Sequence, residues 1–114
     1  MDYDLHSAIE YHISKFGVED VCDVLAVIEG ENDGENWHWL LLLNDGTFAY
    51  LTGGCDYTGW DCQSWASAEV GATPLLVLPD TSDGHDLLRQ FVENDKAVTW
   101  RDGMSDFEMP RVNL

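Results

Sequence analysis

From residue 5 the apolar positions recur at the spacing of an α-helix. Leu5, Ala8, Ile9, His12, Ile13 and Phe16 fall at i, i+3, i+4, i+7, i+8 and i+11, which lays one stripe along a helix of residues 5–16. Asp2 and Asp4 suit its positive end, Lys15 its last turn and Gly17 its stop. His12 sits on the stripe and reads as a core-edge residue. Val18, Val21, Cys22, Leu25 and Ile28 repeat the helical period and predict a second helix over 18–28. The β-branched residues of "VLAVI" leave a strand open from about residue 24. The polar run "EGENDGEN" (29–36) is then a loop.

The pattern changes at "WHWLLLLNDGTFAYLT", which predicts a β-hairpin closed by a two-residue Asp45-Gly46 turn. That register sets Leu43 against Phe48, Leu41 against Tyr50 and Trp39 against Thr52 on one face. Leu42/Ala49 and Leu40/Leu51 share the other. Both faces are apolar, so the hairpin is expected to lie centrally or to be covered on both sides. "CQSWASAEV" (62–70) can add a third strand. "PLLVLPD" (74–80), bounded by prolines, reads as an edge strand or extended linker. A helix is expected from about Asp83 with Leu87, Leu88, Phe91 and Val92 inward, then a short strand in "AVTW" and a loosely ordered tail. The expected fold is α+β. A small antiparallel sheet of three to four strands, built on the central hairpin, packs with two N-terminal helices and one C-terminal helix in a single acidic domain, 1–114.

Charge narrows the partners. Twenty-two acidic residues against five basic ones give a formal charge of −17. Such a field repels nucleic acid and anionic membranes and attracts basic surfaces. The expectation is no direct nucleic acid and no membrane, but a basic protein that itself binds nucleic acid. No apolar run approaches the roughly 18–20 residues of a membrane span, and the acidic start "MDYDLHSAIEYH" is unlike a secretory signal; a cytoplasmic location is expected. The odd set Cys22, Cys55 and Cys62 does not suggest a disulfide framework.

Candidate chemistry concentrates in "GGCDYTGWDCQSW" (53–65). Six residues separate Cys55 from Cys62, too many for a zinc knuckle. His38, across the hairpin near Gly53, would join the two cysteines in a metal site with Asp56, Asp61 or Cys22 as fourth ligand, or in a thiol site with Asp61, the alternative enzymatic reading. The favoured reading is a structural corner. Gly53-Gly54 lets the strand bend, Asp56 and Asp61 accept loop amides, and "YTGW" forms a turn. In "EGENDGEN", Glu29, Glu31, Asp33 and Gly34 imitate the first half of a calcium loop. Its twelfth position is Leu40 rather than an acid, so calcium is not expected; the cysteine spacing disfavours zinc, and no cofactor is expected.

The stretch "LLLNDGTFAYLTGGCDYTGWDCQSWA" resembles a motif of small uncharacterised bacteriophage and bacterial proteins. The resemblance covers roughly residues 37–66, with Gly54 to Gln63 as its distinctive core. It implies that the loop belongs to the fold and that the origin is phage or prophage; it carries no catalytic residue. In composition alone, the chain is similar to acidic phage anti-defence proteins. Together these give the expected function, a non-enzymatic inhibitor that mimics nucleic acid and blocks a defence complex of the anti-CRISPR or anti-restriction kind. Asp20, Asp23, Glu29, Glu31, Asp33 and Glu35 are its expected contacts, with Tyr57 and Trp60 as aromatic anchors. An accessory or homodimeric protein whose acidity serves only solubility is the bland alternative.

Overall fold

The computed structural model describes residues 4–31, 34–56, 63–94, 98–99 and 111–112. Helix α1 (Leu5–His12) opens the chain. Asp4 caps it: its Oδ1 accepts the Ser7 amide at 2.8 Å, and its own amide donates to Ser7 Oγ at 3.4 Å. The helix ends four residues earlier than the stripe suggests. Ile13 and Phe16 still pack against the same core from beyond its end, so a contact pattern outlasts the helix that began it. Lys15 lies past the last turn.

The predicted second helix is a correction. Val18–Asp20 form one 3-10 turn, and Val21–Ile28 form strand β1. Register shifts between Val21 and Asp23 and between Val24 and Ala26 mark two bulges. Each bulge adds a residue to the strand's period of two. Val21, Val24 and Val27 therefore sit opposite Leu43, Leu41 and Trp39, all on one face, three residues apart. Two bulges give a strand the spacing of a helix, and the β-branched residues decide between them.

Strands β2 (Trp37–Leu43), β3 (Phe48–Asp56) and β4 (Gln63–Gly71) complete an antiparallel sheet of order β1-β2-β3-β4. The hairpin is central, as its two apolar faces require. Its register is one residue off the expected one. Leu43 N–H donates to Thr47 C=O at 2.9 Å, and Gly46 N–H to Leu43 C=O at 3.0 Å. The loop is thus three residues, Asn44–Gly46, closed by Gly46 at φ 88°. Leu41 faces Ala49 and Leu40 faces Tyr50. Because side chains alternate, this slip moves all of β3 to the opposite face relative to β2.

Pro74–Val77, expected to be extended, is the short helix α2, with Pro74 in the first turn, where its missing amide costs nothing. Helix α3 (Ser82–Asn94) follows as expected, its start capped by Thr81 Oγ1 accepting the Gly84 amide at 3.1 Å. Val98–Thr99 pair with Arg111–Val112 as β5 and β6; the rest of the expected tail lies outside the described residues. Ala8, Ile9, Trp39, Leu41, Ala49 and Leu51 form a core between α1 and one sheet face. Leu40, Phe48, Tyr50, Val77, Leu87 and Phe91 form a second between the other face and α2/α3. Leu40 and Leu41 are adjacent and fully buried on opposite faces, each contributing about 2–3 kcal/mol.

Candidate functional site

Glu19, Asp20, Asp23, Glu29, Glu31 and Glu35 are all exposed, and they follow one rim of the molecule. The 3-10 turn brings Glu19 and Asp20 to the hairpin loop. Asn44 fixes them there, its amide donating to Asp20 C=O at 2.8 Å and its Nδ2 to Glu19 C=O at 2.9 Å. Asp45, missed in the sequence, joins this group. Thr47 donates to its carboxylate from both hydroxyl and amide, and these bonds hold its pKa below the ordinary value. Asp23 stands on β1. Glu29, Glu31 and Glu35 lie beyond its other end, where Glu31 N–H donates to Glu35 C=O at 2.8 Å. Eight strand residues separate the groups by about 25 Å, at roughly 3.3 Å each. A helix would have held them within about half that length. The expected cluster is therefore two groups joined by an edge strand, not one patch. Asp33, Tyr57, Trp60, Asp61 and Cys62 lie outside the described residues.

Carboxylates also occur elsewhere: Asp4 and Glu10 at α1, Glu69 on β4, Asp80, Asp83, Asp86 and Glu93 around α3. What separates the β1 rim is the placement of the cations. Lys15 Nζ lies 3.9 Å from Glu69, Arg89 3.1 Å from Asp86, and His6, His38 and His85 face Glu10, Asp83 and Asp80. Among the described residues no cation pairs with Glu19, Asp20, Asp23, Glu29, Glu31 or Glu35.

A partly buried polar chain tethers α3 to the sheet. His38 Nδ1 lies 2.7 Å from Tyr50 Oη and its Nε2 3.3 Å from Asp83 Oδ2, with the His38 and Tyr50 rings stacked at 6.0 Å. Burial pushes the Tyr50 hydroxyl above its ordinary pKa; a bond to Thr52 opposes this and the charge of Asp83 adds to it. His38 is opposite Thr52 and shares a face with the α2/α3 core, whereas Cys55 is 7% exposed in the α1 core. The expected approach of His38 to Cys55 is therefore corrected: they occupy opposite faces of the sheet. The shifted register was the missing information. His12, expected at the core edge, is exposed and bonds Ser64 Oγ at 2.8 Å.

The expected corner at Gly53-Gly54 is corrected: both glycines lie inside β3 in unbroken register with β4, and the positive-φ glycine among the described residues is Gly46. Gly54 is opposite Trp65, and a Cβ added there would lie 2.9 Å from Trp65 Nε1 and 2.9 Å from Asn36 Oδ1. The indole lies over the glycine, as aromatic residues do across a sheet. Among the described residues no three His, Cys, Asp or Glu side chains come together as metal ligands, and no helix is long and apolar enough to cross a membrane.

Fold and rim define a class: a small, highly acidic α+β protein with a four-stranded antiparallel sheet covered by helices on both faces. No family model, curated protein or solved structure matches the chain.

Proposed function

We propose that this chain is a non-enzymatic inhibitor whose anionic rim enters the cationic groove of a nucleic-acid-binding defence complex of the CRISPR or restriction type. The observation that supports it is that, among the described residues, no cation pairs with Glu19, Asp20, Asp23, Glu29, Glu31 or Glu35, while Lys15 and Arg89 pair with Glu69 and Asp86. Carboxylates paired with neighbouring cations project little field; carboxylates without such partners on an edge keep theirs for a cationic partner. The rim spans about 25 Å, on the order of seven phosphate steps along one DNA strand at roughly 3.4 Å each. The proposal keeps a phage origin, as the Gly54–Gln63 motif and the composition suggest.

The test is displacement of labelled DNA from purified CRISPR and restriction effectors, from about 50 to about 500 mM salt. The expected result is displacement that weakens steeply as salt rises. It should also weaken about tenfold or more when Glu29, Glu31 and Glu35 are replaced together by Lys. No displacement at low salt, or displacement indifferent to salt and to those replacements, removes the reading.

A further inference from the structure

We infer that β4 is a docking edge that accepts an extended, lysine- or arginine-bearing segment of a partner protein as a fifth strand. The hydrogen-bond pattern fixes which groups are open. Leu43 and Thr47 bond each other, so by alternation the odd residues of β3 bond β2 and its even residues bond β4. With Tyr50 opposite Glu69 and Thr52 opposite Ser67, the odd residues of β4 face inward. Ser64, Ala66, Ala68 and Val70 point their amides and carbonyls away from the sheet. Lys15 Nζ, donating to Ala68 C=O at 2.7 Å, is in line with this. Apart from that bond, these backbone groups have no partner among the described residues.

The rest of the strand suits an incoming chain. All nine residues keep unbroken register with β3, so the edge carries no bulge. Glu69 is its one charged residue, and Ser64, Ala66, Ser67 and Ala68 are small. Trp65 lays its indole back over Gly54 of β3, so it does not project across the open edge. Charge selects the occupant. A chain of −17 repels a second copy of itself and draws in a cationic segment. Lys15 need not leave when that segment arrives: the incoming amide takes Ala68 C=O while the ammonium, already 3.9 Å from Glu69, moves onto the carboxylate. Main-chain bonds then supply affinity and alternate side chains supply selectivity. The inference rests on the inhibitor reading only for the cationic character of the partner.

The experiment uses the full chain, a ten-residue peptide of alternating lysine and valine, and the same peptide N-methylated on every backbone nitrogen. Both peptides carry the same charge; only the first can form a ladder. The expected result is saturable binding with amide shifts and exchange protection at Ser64, Ala66 and Val70. The methylated peptide should bind at least about tenfold more weakly. Equal binding of the two, shifts confined to residues 19–35, or no binding overturns the inference. So does protection of β4 that grows with protein concentration alone, which would assign the edge to a second copy. Protection at β4 without DNA displacement from any effector keeps this inference and removes the inhibitor reading; the converse keeps that reading and removes this one.

Discussion

Strand β1 reaches one rim of the sheet with two bulges and with α3 packed against it, whereas β4 reaches the other as nine residues in continuous register. Both rims expose backbone groups, and each receives one side-chain plug. Gln90 Oε1 on α3 accepts the outward Val27 amide at 3.1 Å, and Lys15 Nζ donates to the outward Ala68 carbonyl at 2.7 Å. Bulges twist an edge away from a template geometry, and charge keeps strangers off it. Each strand carries one charged residue, Asp23 on β1 and Glu69 on β4, so the bulges are what separate the rims. The β4 rim has no bulge, and beneath the Lys15 plug its register stays that of a strand awaiting a neighbour.

The largest effect should come from removing what holds α3 over β1. Phe91 is fully buried and meets Phe48 edge-on at 6.2 Å. Phe91→Ala should cost about 3–5 kcal/mol in urea unfolding. Native-state exchange at Val27 should accelerate far more than at the outward β4 amides, because β1 loses its cover. Equal acceleration at both rims would show that α3 does not protect β1 selectively.

A smaller loss should follow at the base of β4. Gly54→Ala forces the Trp65 indole aside or shifts the strand, an overpacking cost of about 1–3 kcal/mol, with a change in tryptophan emission. Unchanged stability and emission would mean that the indole moves freely and does not set the edge.

Sequence periodicity located the elements far better than it located their partners. α1, the central hairpin, the strand over 63–71 and α3 were legible because each carries one clean period or a turn signal. β1 was not, because two bulges space Val21, Val24 and Val27 like a helix. The hairpin's partner faces were not, because Asn44 joins Asp45 and Gly46 in the loop, and one extra loop residue reverses β3. That single slip also separated His38 from Cys55. The acids of the β1 rim were legible as residues. That no described cation pairs with them was not, since it depends on where Lys15 and Arg89 fold.

The polar chain beneath α3 gives a third prediction, intermediate in size. Tyr50→Phe leaves His38 Nδ1 without the 2.7 Å bond and should cost about 1 kcal/mol at neutral pH. Burial raises the Tyr50 pKa above its unfolded value, so the fold favours the neutral phenol. That stability is fully present below about pH 10 and is lost as pH rises through the raised folded value. Unfolding followed upward from about pH 9 should show this alkaline loss in the parent chain and less of it in Tyr50→Phe. Identical profiles would place the phenol in water.

The smallest change in stability should separate the two rims most sharply. Lys15→Met keeps an aliphatic stem but removes the plug from Ala68 C=O and the ion pair with Glu69. The Lys15 side chain is more than half exposed, and surface pairs contribute little, so the loss should stay under about 1 kcal/mol. Gln90→Leu likewise removes the plug from Val27 N–H. Stability barely tells the two replacements apart, but strand addition should. Lys15→Met opens Ala68 on an edge without bulges and leaves Glu69 free for an incoming lysine, so the lysine–valine peptide should bind a few-fold more tightly. Gln90→Leu opens Val27 just beyond the second bulge, next to the last residue of β1, where only a short ladder can form, and should leave peptide binding unchanged. If Gln90→Leu tightens binding as much as Lys15→Met, the bulges are not what closes the β1 rim. The contrast between the edges would then reduce to which side chain happens to cover each.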